Sequence, residues 1–250
     1  MSMEKWEVAL DKFLNKWQDT KEVQAAIVTG SYVLGTATPS SDIDVQIVLA
    51  DSVTWRERGN EIVDGILFEY FANPPKSIRG YFMEDFKNGR RAAARMFATG
   101  KIVFDKTGIG KTLQEEGKKE LKKVFDKPAF TRIEPNKYHI WEMLDGIKDS
   151  EGSKDFRFQY YLLLDEIWRS YTNFLGAEMV APSKMYKMLN SNDFRSKYQI
   201  DSLPDSRFIG LMNKALEVEN TPNIEELANY TLIQMGGFKI DGWKFRTPAE

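Results

Sequence analysis

The sequence predicts an α+β fold in two parts, an N-terminal domain with a small mixed β-sheet flanked by helices and a C-terminal helical bundle. Three observations carry that expectation. Short apolar runs ended by turn residues stand at Val23–Thr29, Ile43–Leu49 and Gly65–Phe71, the mark of buried strands. Apolar residues at helical spacing precede and follow those runs. From Lys127-Pro128 onward the strand-like runs stop and aromatic-rich helical periodicity takes over. The boundary is therefore set there, giving domains 1–126 and 127–250, and 250 residues are enough for two domains of ordinary size.

Taken in order, Trp6, Ala9, Leu10, Phe13, Leu14 and Trp17 fall on one face of a packing helix. The first strand runs from Val23 to Thr29 and stops at Gly30-Ser31, and the second follows the polar loop Thr36 to Ser41. The third is closed by Asn73-Pro74-Pro75, because proline cannot continue a central ladder. One helix is expected over Ile78 to Ala98, a brief strand over Lys101 to Phe104 and a charged helix from about Gly110 to Phe125. In the second part, helices are expected over Asn136–Lys148, Phe156–Leu175, Ser183–Leu189, Phe208–Val218 and Ile224–Met235, the last closed by Gly236-Gly237.

Composition narrows the function. The chain is 42% hydrophobic and 29% charged, which fits a globular protein and not a disordered one. With 35 basic against 37 acidic residues there is no global attraction to a phosphate backbone, so no long nucleic acid is expected. No cysteine is present, which excludes disulfides, thiolate metal sites and cysteine nucleophiles, and a lone histidine, His139, excludes a multi-histidine metal site. No apolar run is long enough to span a bilayer, and Met-Ser-Met-Glu-Lys-Trp is not a secretory leader. A cytoplasmic protein without membrane contact is the expectation.

The chemistry concentrates in Thr29-Gly30-Ser31 and Ser41-Asp42-Ile43-Asp44-Val45. Strand side chains alternate, so Asp42 and Asp44 share one face while Ile43, Val45 and Ile47 enter the core on the other. Two carboxylates at that spacing repel each other and call for a cation. Mg2+ takes hard oxygen ligands, commonly one or two carboxylates with phosphate oxygens completing its shell, so the pair suits a metal–triphosphate complex. Gly30-Ser31 at a strand end offers backbone N–H groups and a hydroxyl to phosphate oxygens, provided a helix starts there.

This pattern resembles the nucleotidyltransferase superfamily that includes polymerase β and the small antibiotic-modifying adenylyltransferases. The shared elements are a hydrophobic strand, Gly30-Ser31, ten intervening residues, Asp42-Ile43-Asp44-Val45, and a third carboxylate on a later strand, here Glu69 in Leu67-Phe68-Glu69-Tyr70-Phe71. In organisation the chain is most similar to the kanamycin- or aminoglycoside-type enzymes, with Met96 to Asp105 as the last strand region of the catalytic domain. The resemblance implies that Asp42 and Asp44 hold Mg2+, that Glu69 completes the second metal site or acts as base, and that Gly30 and Ser31 grip the β- and γ-phosphates of ATP or another NTP. It implies a general base on the first helix of the second domain, where Glu142 and Asp145 are both candidates. Lys184, after Pro182-Ser183, resembles a lysine that some members aim at the triphosphate. Several relatives dimerise with the active site near the partner subunit, so the resemblance extends to a homodimer.

Other features have plainer readings. Asp105 to Thr112 nearly spells a phosphate-binding P-loop, but Asp105 replaces its first glycine and would repel phosphate, so a turn and helix start is expected. Arg91 and Arg95 share a helix face, next to Arg90, which reads first as a solvated face and second, through Arg91, as a triphosphate contact. Tyr160, Tyr161, Trp168, Tyr171 and Phe174 are helix-spaced and read as core. The function expected is Mg2+-dependent transfer of AMP from ATP to a hydroxyl of a small acceptor, an aminoglycoside- or lincosamide-type antibiotic among them. Protein-directed adenylylation of a toxin–antitoxin type and a nucleotide-binding module without turnover are the alternatives.

Overall fold

A computed structural model describes residues 5–247; the leader reading at residues 1–4 lies outside the described part. The fold is mixed α+β, a five-stranded sheet with helices followed by a helical region. By contacts the chain divides into two compact units, one running to Lys123 and including Ser196–Gln199, the other comprising Val124–Arg195 and the residues from Ile200. No helix among the described residues is long and apolar enough to cross a membrane.

In the first unit, helix α1 (Lys5–Gln18) leads into β1 (Val23–Thr29), β2 (Ile43–Leu49), β3 (Glu57–Val63) and β4 (Ile66–Asn73). Helices α2 (Pro75–Lys87) and α3 (Ala92–Thr99), strand β5 (Lys101–Asp105) and helix α4 (Ile109–Glu120) complete it. The sheet order is β3-β4-β2-β1-β5, with β2 and β4 parallel and every other pair antiparallel. The two strands at its centre, β1 and β2, are buried on both faces because helices cover both.

One face packs on α1. Its amphipathic stripe places Phe13 flat on Phe68, with ring centres 4.8 Å apart, and Trp17 edge-on to Tyr70 at 5.2 Å. Ile43, Val45 and Ile47 join that core, as the alternation of β2 requires. Exposed ion pairs from Lys12 to Asp64 and from Lys16 to Glu61 tie α1 to the β3–β4 hairpin and contribute little energy. The opposite face carries Ala25, Ile27 and Val48 beneath Ile78, Phe82, Phe97 and Leu113 of α2, α3 and α4.

The sequence reading needs correction in several places. Strand β3 escaped it, because Glu-Arg-Gly-Asn-Glu-Ile-Val is a half-exposed edge strand with no apolar run. Its signal was the turn Asp64-Gly65, where both residues have positive φ (52° and 79°), the geometry of a two-residue hairpin. The single helix expected over Ile78–Ala98 is two helices, broken at Asn88–Arg91, where the Asp85 carboxylate accepts the N–H of Ala93 and so starts α3. The charged helix ends at Glu120 and not at Phe125, and β4 continues through Asn73.

The second unit is helical: α5 (Phe130–Ser150), α6 (Phe156–Phe174), α7 (Pro182–Asn190), α8 (Asn192–Tyr198, whose last residues group with the first unit), α9 (Ser206–Glu217) and α10 (Thr221–Gln234). Helix α5 starts six residues earlier than expected and contains Pro135, which forgoes one backbone bond; α8, seven residues long, was not foreseen. Tyr160, Trp168 and Tyr171 are core, as their spacing implies, whereas Tyr161 is exposed. Asp205 caps α9 through the Phe208 N–H and accepts the hydroxyls of Tyr171 and Tyr230. Burial opposes its ionisation, yet these donors together hold its carboxyl below the ordinary range.

Phe68 immediately precedes Glu69 and is fully buried under Phe13. Phe68→Ala is expected to cost about 3–5 kcal/mol, read as a lowered midpoint in chemical denaturation.

Candidate active site

Register brings three carboxylates together. Asp44 of β2 pairs across the ladder with Thr29 of β1 on one side and with Glu69 of β4 on the other. In-register neighbours project to the same face, so Asp44 and Glu69 stand side by side, and Asp42, two residues earlier in the chain, joins them. One carboxylate oxygen from each of Asp42, Asp44 and Glu69 lies within 4.8 Å of the others, and all three residues are half-buried. Three hard anionic donors this close fit an oxygen-preferring divalent cation such as Mg2+. When bound, such an ion would neutralise the cluster and polarise a phosphoryl oxygen.

Gly30 belongs to this cluster for a steric reason. Its φ is +78°, and a Cβ added there would stand 2.3 Å from Asp44 Oδ2. A side chain there would strain the backbone and have to displace the Asp44 carboxylate. The helix that the phosphate reading required after Gly30-Ser31 does not form. Residues 30–36 instead make a single turn, closed by Leu34 N–H to Gly30 O at 3.2 Å and Thr36 N–H to Ser31 O at 2.9 Å. The first N–H groups of such a turn have no acceptor within it, so those of Ser31, Tyr32 and Val33 are not used by the turn itself.

Glu69 has a partner that sequence reading missed. Arg58 of β3, diagonal to it across the β3–β4 ladder, donates from Nε to Glu69 Oε1 at 3.0 Å and from Nη2 to the same oxygen. Both bonds run to Oε1, which leaves Oε2 for an ion. The only sequence signal for Arg58 was its place in an unrecognised hairpin. On the α1 face, Glu57 accepts the Tyr70 hydroxyl at 2.6 Å, and that bond, with burial, pushes the Tyr70 phenol up to about 12.

The remaining predicted residues lie on other elements of the chain. Arg91 precedes α3 as its cap residue, not within a helix, and its guanidinium is held by the carbonyl of Lys123; Arg95, nearly buried, donates to the carbonyl of Tyr198. Neither is a solvated face. Arg90 lies in the break between helices and pairs with Asp85. Glu142 and Asp145 are exposed on α5 of the other unit, Glu142 accepting the Tyr138 hydroxyl at 3.2 Å, and Lys184 lies on α7. At the near-P-loop, Asp105 accepts the N–H groups of Gly108 and Lys111, so a carboxylate fills the start of α4 where phosphate would sit.

These features meet in one stretch of chain. Residues 10–89 match the family model of the nucleotidyltransferase domain. The match spans Gly30-Ser31 and all three carboxylates, and it makes the chain a transferase of the nucleotidyl class. A solved structure, a nucleotidyltransferase-like protein from Exiguobacterium sibiricum 255-15, is similar at 14% identity and a TM-score of 0.44, over 92% of this chain and 73% of that one. No curated protein matches.

Within the nucleotidyltransferase domain, Gly30→Ala is expected to push the Asp44 carboxylate out of line. Mn2+ affinity, followed by the paramagnetic resonance of the free ion, should fall about tenfold or more, with the circular dichroism spectrum retained.

Proposed function

We propose that the chain transfers a nucleoside monophosphate, AMP from ATP in the first instance, to a hydroxyl of a small acceptor and releases pyrophosphate. The observation that carries this is the close set of Asp42, Asp44 and Glu69 beside the Gly30-Ser31 turn, inside the matched nucleotidyltransferase domain. In the reaction, the acceptor oxygen forms a bond to the α-phosphorus while the bond from that phosphorus to the bridging oxygen of the leaving pyrophosphate breaks. The hydroxyl proton leaves to a carboxylate.

Asp42 and Asp44 hold Mg2+ in this reading, and the turn N–H groups with the Ser31 hydroxyl hold the β- and γ-phosphates. Glu69 serves through Oε2 as the third ligand or as the proton acceptor. Catalysis of this kind asks the protein for position and opposite charge more than for covalent chemistry. The helical unit supplies the remaining functions by resemblance: Glu142 or Asp145 as base towards the acceptor hydroxyl, Lys184 towards the triphosphate. A cytoplasmic homodimer is part of the same proposal. Arg91 is left out of it, because its guanidinium serves the Lys123 carbonyl.

The test is pyrophosphate release on mixing ATP, Mg2+ and a panel of hydroxylated acceptors that includes aminoglycosides and lincosamides. Turnover is expected with at least one acceptor, lost with EDTA, and reduced on the order of a hundredfold or more in Asp44→Asn. Full activity in Asp44→Asn would overturn the assignment. Label transferred from ATP to protein bands alone would redirect it to a protein acceptor.

A further inference from the structure

Beside the carboxylates, inside the first unit, lies a cleft of about 800 Å³ that nothing in the catalytic reading uses. It continues the active-site face of the sheet. Gln46 follows Asp44 by two residues and Phe71 follows Glu69 by two, so both project on the carboxylate side, and they are register partners of each other. Arg58 is in turn the cross-strand partner of Phe71, its guanidinium carbon 4.9 Å from the ring centre. The row Gln46–Phe71–Arg58 thus forms the floor one step beyond the row Asp44–Glu69. Tyr81 of α2 and Met96 of α3 make the opposite wall.

We propose that this cleft holds the acceptor, and that the acceptor is a flat, hydroxylated ring compound bearing an acidic group. The proposal rests on the nucleotidyl-transfer reading and on the geometry of displacement. The phosphate-holding turn leaves from β1, whereas the cleft lies towards β4 and β3, and β1 and β4 flank β2 on opposite sides. Attack on the α-phosphorus comes opposite the leaving pyrophosphate, so the acceptor enters from the side of the cleft.

The lining states the chemistry. Phe71 and Tyr81 offer ring faces for stacking. Gln46 is 6% exposed, and among the described residues its amide makes one bond, a long one of 3.9 Å to the Met96 sulfur. A buried amide so poorly satisfied is ready to bond a polar ligand atom. Arg56 donates to the Tyr81 hydroxyl at 2.8 Å, and among the described residues the carboxylate that Arg58 meets is Glu69. Glu57, which also borders the cleft, is engaged by Tyr70 on the α1 face. With Arg58 paired to Glu69 and Arg56 bonded to a neutral phenol, Arg56 is the guanidinium offered to an acidic group of a ligand.

Trp55 borders the cleft and reports binding by its fluorescence. The probes are 4-hydroxyphenylacetate and uridine 5′-monophosphate, which share a flat ring, a hydroxyl and an acidic group, with kanamycin as the polycation and MgATP as the nucleotide. At least one acidic ring probe is expected to bind the full-length protein, about tenfold more weakly in Arg56→Gln. The Gln46→Leu variant should weaken it too, while MgATP affinity stays within about twofold of wild type in both. Which of the two acidic probes binds separates an aryl carboxylate from a nucleotide acceptor. The proposal is overturned if neither binds, if their affinity is unchanged in Arg56→Gln, if kanamycin competes for the cleft, or if MgATP weakens in parallel, which would make the cleft the nucleobase site. Probe binding needs no turnover, so a failed pyrophosphate assay would sink nucleotidyl transfer without being mistaken for failure of the cleft.

Discussion

Three carboxylates within 4.8 Å of one another repel, at roughly 3 kcal/mol per pair for an effective dielectric near 20, and the sheet beneath them must hold them against that force. It does so through register. Asp44 cannot move from Glu69 without shifting β2 against β4, which would carry Ile43, Val45, Ile47 and Phe68 out of the core under α1. The apolar face of the sheet therefore fixes the charged one. Arg58 offsets part of the repulsion by pairing with Glu69 Oε1, and a divalent cation would offset more of it.

The same constraint explains the local irregularities. Gly30 is needed because the end of β1 passes so close to the Asp44 carboxylate that a Cβ would collide with it. The break between α2 and α3 keeps Ile78, Phe82, Ala94 and Phe97 over the far end of that face, where Val48 and Ile27 are apolar. Between this apolar end and the carboxylates, the row Gln46–Phe71–Arg58 stays open as a cleft. One sheet face thus grades from carboxylates through a mixed polar and aromatic row to core.

Sequence reasoning found what short-range pattern encodes. The bounds of β1 and β2 were legible because both are largely apolar runs ended by turn residues; Asp44 and Glu69 were legible because an acidic residue interrupts a strand-like run, and Asp42 because it stands just before one. Edge strand β3 was not, since one exposed face and polar content leave no run to see; Arg58 was lost with it. The gap at Asn88–Arg91 was hidden by helix formers on both sides, its decisive bond coming from the Asp85 side chain. The Arg91 and Arg95 side chains were read as solvated because periodicity reports spacing and cannot report the carbonyls that bury them.

The sequence by itself determined the α+β order of elements, the alternation that sets two aspartates opposite a core face, and a Gly-Ser turn before them. These follow from local rules of strand pleat and turn residues. Only the tertiary structure decided that Glu69 stands beside Asp44, because parallel pairing of β2 with β4 joins residues 25 positions apart in a way no local pattern fixes. It alone decided that Gly30 is held by contact with Asp44, that the turn after it is one turn and not a helix, and that Arg58 holds the third carboxylate. Each depends on which strand lies next to which, and that choice is made by packing both faces of the sheet at once.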